Sequence, residues 1–203
     1  TAGKLHGYCK IRIQPRVEKA AEEQFARTRK KAEVFTPSWI VNKMNNHCDE
    51  EWFGRKNVFN TETENGEKWV TNRFPVQFDG RTTWKGYVDS RRLEITCGEA
   101  PYIVSRYDAA TGKIIPIANR IGILDRKLRV VHENAAGDEE WLKWAMRALQ
   151  SSYGYEFQGD NLLIARVNVL VTFVENYTLR FGTQPDEKLL QKLANIICWN
   201  FWQ

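Results

Sequence analysis

The second half of the chain alternates between element types in a way that few folds accommodate. Residues 91–96, RRLEIT, read as a strand, and two segments with helical spacing of apolar residues follow, IGILDRKLRVVHEN and DEEWLKWAMRALQSSY. Asp138 is placed to cap the second of these, and Gly154 to end it. YEFQ reads as a short strand. LLIARVNVLVTFVENYTLRF then reads as a long helix stopped by Gly182 and Pro185, DEKLLQKLA as another helix, and NIICWNFW as a final strand. Strands separated by helices cannot pair through tight turns. They must cross over, and the expected result is a parallel sheet with helices on its faces.

The first half is less regular. VEKAAEEQFARTRKKAE, residues 17–33, lacks Gly and Pro and reads as a helix with acidic residues early and basic ones late. In VFTPSWIVNKM, Thr36 can cap, Pro37 suits the first helical position, and Ile40, Val41 and Met44 form an apolar face. Residues 54–86 turn polar and irregular. Short strands are expected at residues 68–72 and 74–78, with Asn65-Gly66 and Asp79-Gly80 as hairpin turns. After Gly98 a helix is expected over residues 100–107, and Thr111-Gly112 marks a small hairpin.

With 203 residues, 42% of them hydrophobic, the chain is long enough for one sizeable core. A net charge of +5 allows a nucleic-acid partner without requiring one. Within that charge, Arg27, Arg29, Lys30 and Lys31 can meet phosphates or form a solvated helix end. The chain opens at Thr1 rather than Met, so a trimmed N-terminus is expected, and residues 1–14 show no signal-peptide core. The most apolar run, residues 162–174, is interrupted by Arg166 and Asn168, so no membrane partner is expected. The four cysteines form no C-x-x-C pair, and His47 beside Cys48 has no partners at ligand spacing. Reduced thiols, a cytoplasmic location and no metal are expected. Trp39, Trp52, Trp69 and Trp84 read as packing residues or as stacking platforms for bases, and Trp141 with Trp144 as core.

Two acids line up with the strands. Glu94 lies near the end of the first, just before the turn Cys97-Gly98, and Glu156 lies on the next. In a doubly wound sheet the turn after the first strand takes a cofactor against bare backbone, and an acid at the tip of the second accepts the ribose hydroxyls. Glu156 is the ribose candidate, or else a surface carboxylate.

Three stretches, in order, resemble the class I S-adenosylmethionine-dependent adenine methyltransferases of bacterial restriction–modification systems, particularly their modification subunits. EVFTPSWIVNKM is similar to the family's opening phrase, which closes over the methionine end of the cofactor. LEITCGEAPYIV is similar to its first glycine motif, keeping Leu93, Glu94, Cys97, Gly98 and Tyr102. YGYEFQGDNLLIARVNVL is similar to its second, keeping Gly154, Glu156, Ala165, Arg166, Asn168 and Leu170. The resemblance implies an α/β, Rossmann-like methyltransferase fold over residues 35–203, incomplete after a third strand. An N-terminal arm precedes it at residues 1–34, and a helical insertion spans residues 109–150. It implies S-adenosylmethionine as cofactor, held by Phe35, Thr36, Pro37, Glu94, Cys97, Gly98 and Glu156, with DNA as partner in a restriction–modification or phage-defence setting.

Two departures qualify what the resemblance implies. Gly98-Glu99-Ala100 stands where the family has Gly-Ser-Gly, and Glu99 is unfavourable near the cofactor's carboxylate unless it points away. The Asn/Asp-Pro-Pro-aromatic tetrad that positions the target amino group is absent, since no two of the six prolines are adjacent. No catalytic residue is therefore assigned. The alternative is a catalytically inactive methyltransferase-like protein that binds nucleic acid or a protein, such as a mobile-element inhibitor of a host defence complex. A structural subunit or homo-oligomer whose sheet a partner completes is the third expectation.

Overall fold

The computed structural model describes residues 15–31, 34, 36–80 and 82–203, apart from the side chain of Lys31. A 3-10 turn at Arg16–Glu18 leads into α1 (Ala21–Lys31), and α2 (Ser38–Phe53) starts behind Pro37 and stops at Gly54, whose φ of +67° suits glycine. β1 (Asn60–Thr63) and β2 (Lys68–Thr71) form the hairpin that Asn65-Gly66 announces, with φ of +58° and +92° at the two turn residues. The expected strand at residues 74–78 does not form. Arg129 takes the carbonyls of Asn72 and Phe74, and the Val76 N–H donates to Glu133, so these backbone groups bind side chains of a helix instead of a strand.

From residue 84 the alternation read from the sequence is present. The order is α3 (Trp84–Asp89), β3 (Arg92–Ile95), α4 (Ile123–Asn134), α5 (Asp138–Gln150), β4 (Ser152–Tyr155), α6 (Gly159–Phe181), α7 (Glu187–Asn200) and β5 (Phe201–Trp202). The three strands form a parallel sheet in the order β3-β4-β5. This is an α/β architecture with a second, two-stranded antiparallel sheet.

Several boundaries differ from the expectation. The fourth strand is Ser152–Tyr155, not YEFQ, so Gly154 lies inside it rather than ending α5. A Cβ at Gly154 would sit 2.6 Å from the Phe201 ring and 3.0 Å from Cys97 Sγ, so a close approach across the sheet fixes the glycine. Asp138 begins α5 but Gly137 occupies the cap position. NIICWN is helical: Leu193 and Ile197 continue a buried i, i+4 stripe, and only the last two of those expected strand residues join the sheet. Asn200 ends that helix by donating to the carbonyls of Leu149, Gln150 and Ser152.

Strands that add in one direction by right-handed crossovers put every connecting helix on the same face. The burial pattern agrees. Ser152, Gly154 and Phe201 face the helices and are buried, whereas Leu93, Ile95, Tyr155 and Trp202 point the other way and are 38–69% exposed. Ile95, Tyr155 and Trp202 form one row across that bare face, with the last two rings 5.0 Å apart. β3 also has no partner on its outer edge among the described residues.

Below the covered face, Val88, Leu124, Leu128, Trp141, Leu149, Ala165, Val169, Phe173 and Leu193 form the core. α6 is long and apolar enough to cross a membrane, but Leu162, Ile164, Ala165, Val169 and Phe173 are spent on this core, which accounts for its composition. Lys127 is buried with them. Its ammonium donates to the Ser90 carbonyl and to the carbonyl and hydroxyl of Ser151, at the C-terminal ends of α3 and α5, and burial lowers its pKa to about 7.

Candidate functional site

The turn after β3 is held by backbone conformations that L-residues avoid. Thr96, Gly98 and Ala100 have φ of +57°, +56° and +66°, and Ala100 is fully buried. A non-glycine residue in this region costs about 1–2 kcal/mol, and such strain gathers where function requires a particular backbone shape. Ala100 thus holds a left-handed conformation that glycine adopts more readily. The helix expected over residues 100–107 is replaced by turns, because a residue with φ of +66° cannot enter a right-handed helix.

The parallel pairing of β3 and β4 brings the two acids together around this turn. Glu94 pairs with Gly154, and Glu156 follows the end of β4. One Glu156 oxygen accepts the Gly98 N–H at 2.7 Å and the other accepts the Gln158 N–H at 2.8 Å, so the carboxylate ties the two strand-end turns together. Glu94 is half-buried beside the turn, with one carboxylate oxygen shut away from solvent. Burial raises its pKa well above the usual carboxylate value, the N–H groups of Tyr102 and Ile103 oppose that shift, and the charge of Glu156 adds to it. Its Oε2 is buried without a hydrogen-bond partner. Cys97 contributes backbone only. Its thiol is buried, and burial, with the charges of Glu94 and Glu156, pushes it far above its ordinary value, so it stays protonated and is no nucleophile.

Thr36 and Pro37 arrive from the start of α2. Tyr102 lies beside Thr36 and donates its hydroxyl to Met44 Sδ at 3.0 Å. Met44 is thereby half-exposed beside the turn rather than buried in the face expected for α2, and the Ser38 N–H docks on Asp108 at 2.7 Å. Phe35 lies outside the described residues. The structure therefore brings Glu94, Gly98 and Glu156 together, with Cys97 present through its backbone and Thr36 approaching through Tyr102.

Glu99 points away from this neighbourhood. Its carboxylate is buried, accepting the Arg16 N–H at 2.6 Å and the Tyr107 hydroxyl at 2.5 Å, while Asn168 donates to its carbonyl and to Tyr107. Sequence reasoning missed this role, since its partners lie eight to 83 residues away. Asp160, in the first turn of α6, bonds Lys19 at 3.2 Å and Arg27 at 2.7 Å rather than capping that helix.

The basic cluster divides. Arg27 is buried and committed to Asp160 and Asn161, so it is a tie within the protein and not a phosphate contact. Arg29 and Lys30 are exposed on α1, and the Lys31 side chain lies outside the described residues. Trp141 is core as expected, and Trp84 packs on Trp144 at 5.2 Å. A cleft of about 700 Å³ lies elsewhere, between β2, the turn at Ile117–Asn119, α4 and α6, and none of the residues above lines it. His132, on its wall, accepts from the Trp141 indole through Nδ1 and faces Asn176 through Nε2, and burial keeps it neutral.

Comparison with protein-family models, with curated proteins and with solved structures finds no match to this chain.

Proposed function

We propose that this chain carries the cofactor-binding part of a Rossmann-like, S-adenosylmethionine-dependent DNA adenine methyltransferase. One observation carries the reading. A glycine turn in left-handed conformation closes the first parallel strand, and the acid beyond the adjacent strand reaches its N–H at 2.7 Å. Dinucleotides and related cofactors are held at this position in doubly wound sheets.

The residues present fit such a ligand. Glu94 keeps an orphaned buried oxygen able to take a donor, and the turn keeps its shape with alanine at the second glycine position. Glu99, the residue most at odds with an anionic ligand end, is turned away. In this reading Glu156 exchanges its two N–H partners for ribose hydroxyls, Gly98 offers bare backbone, and Thr36 and Pro37 close one side. The bound cofactor would supply an electrophilic methyl group. Positioning of a target amino group is assigned to none of these 203 residues, because the proline tetrad is absent from them. Arg29 and Lys30 are the residues offered to DNA phosphate.

Calorimetric titration with S-adenosylmethionine tests the reading. Micromolar binding by the chain, lost in Glu156→Ala, is the expected result. A folded sample that binds none overturns it. A second reading, a methyltransferase-like protein working through a macromolecular partner, draws on the bare sheet face of Leu93, Ile95, Tyr155 and Trp202. Parallel sheets are ordinarily covered on both faces. Affinity for DNA that falls steeply with salt supports a nucleic-acid partner, whereas light scattering that shows self-association supports a protein one.

A further inference from the structure

The N-terminal arm does not simply precede the fold. It touches both turns of the proposed cofactor site, one at each end of its length. Near its start, the Arg16 N–H donates to Glu99, which lies between Gly98 and Ala100 in the turn after β3. Further along, Lys19 and Arg27 converge on Asp160, and Arg27 also donates to Asn161. Both residues lie in the first turn of α6, four and five residues past Glu156.

The arm is braced internally as well. Arg16 donates to Thr28 at 2.7 Å across the bend, and Gln24 donates to the Lys19 carbonyl at 2.9 Å. Val17 fills the space a side chain at Gly112 would occupy, 3.2 Å from that position, in the small hairpin that carries Tyr107. Glu99 is gripped from two directions, by the arm's backbone and by Tyr107, whose hydroxyl is itself held by Asn168 of α6.

We infer that residues 15–31 form a strap across the cofactor turns, with Glu99 and Asp160 as positioning residues that hold the strained turn ready for its ligand. The inference rests on the cofactor reading for its ligand but not for its mechanics. The two cations against Asp160 keep its carboxyl down at about 2, so the tie is intact throughout the neutral range. Because the strap bonds to one turn through a neutral backbone N–H and to the other through ion pairs, the two ends can be loosened separately. Coupling between strap and ligand must run in both directions: what seats the strap raises affinity, and what fills the site holds the strap down.

Hydrogen exchange and calorimetry on the full chain test this, using Asp160→Asn, Asp160→Glu and Glu99→Gln beside the parent protein. Asp160→Asn is expected to speed amide exchange in residues 16–31 and also in residues 97–104, and to weaken S-adenosylmethionine binding about fivefold or more. Asp160→Glu is expected to restore both, and Glu99→Gln to speed exchange in residues 97–104 with the fold intact. If Asp160→Asn frees the arm but leaves exchange in residues 97–104 and affinity unchanged, the strap has no hold on the site and the inference fails. It fails equally if the melting temperature drops while the folded fraction keeps its affinity. A parent protein that binds no S-adenosylmethionine sinks the cofactor reading instead, and exchange in residues 97–104 then decides the strap alone.

Discussion

Asp49 is a buried carboxylate and Glu94 a half-buried one, and they are built on opposite terms. Asp49, on α2, has an Arg126 nitrogen from α4 at 2.6 Å and the Tyr87 hydroxyl from α3 at 3.0 Å. Arg126 in turn reaches Asn42 and Asn46 and stacks over the Phe59 ring at 5.2 Å. The Asp49 charge is matched there and both its oxygens are satisfied, although Arg126 Nε is buried without a partner. Around Glu94 the balance is absent. A second carboxylate, Glu156, adds to its cost, one of its oxygens has no partner, and the backbone above it is strained. The first cluster sets its carboxylate against a guanidinium, whereas the second leaves a carboxylate oxygen unmatched beside another acid.

Breaking the balanced cluster has the largest expected effect. Asp49→Ala leaves Arg126 charged and buried, at a cost of about 3–5 kcal/mol, read as a lower urea midpoint at unchanged slope. Next comes Glu156→Ala, which strips the partners from the Gly98 and Gln158 N–H groups for about 1–3 kcal/mol. This effect on stability is separate from its effect on ligand. Glu94→Gln runs in the opposite direction. The folded value of Glu94 lies above 4.5, so between that ordinary value and the raised one the folded state keeps a proton that the unfolded state has released. Stability therefore falls as pH rises through the folded value. Glu94→Gln is expected to stabilise the protein at neutral pH and to remove that slope, as thermal melts between pH 5 and 8 can check. Asp49→Asn should show no such gain. The smallest effect is Ala100→Gly, which relieves the left-handed strain and is expected to gain about 0.5–1 kcal/mol after the added flexibility of the unfolded chain is counted.

The contrast also marks what the sequence discloses. The strand at residues 91–96, the Asn65-Gly66 hairpin and the stop at Gly182 rest on local chemistry, and each stands within a residue or two of its expected place. Gly154 misleads because its reason is Phe201, 47 residues away, pressing on the strand. NIICWN misleads because its β-branched and aromatic residues favour a strand, while the packing of Leu193 and Ile197 against the core favours a helix. Of the residues singled out from the sequence, Glu94, Gly98 and Glu156 do come together, because strand register alone sets them side by side. The turn of Glu99 toward Tyr107 and the arm arises from contacts that no spacing in the chain announces.

The order of the sheet has a consequence for how the chain reaches this structure. β3 and β4 pair across about sixty residues and β4 and β5 across about fifty, so each pairing closes a long loop before any contact rewards it. The β1–β2 hairpin and the helices need only local contacts, which form on microsecond scales, whereas non-local strand pairing slows folding by orders of magnitude. The bond from Glu156 to Gly98 exists only once β3 and β4 are in register. The nascent chain therefore holds its helices and its hairpin before the two strand-end turns are joined, and that junction is the last feature it acquires on refolding.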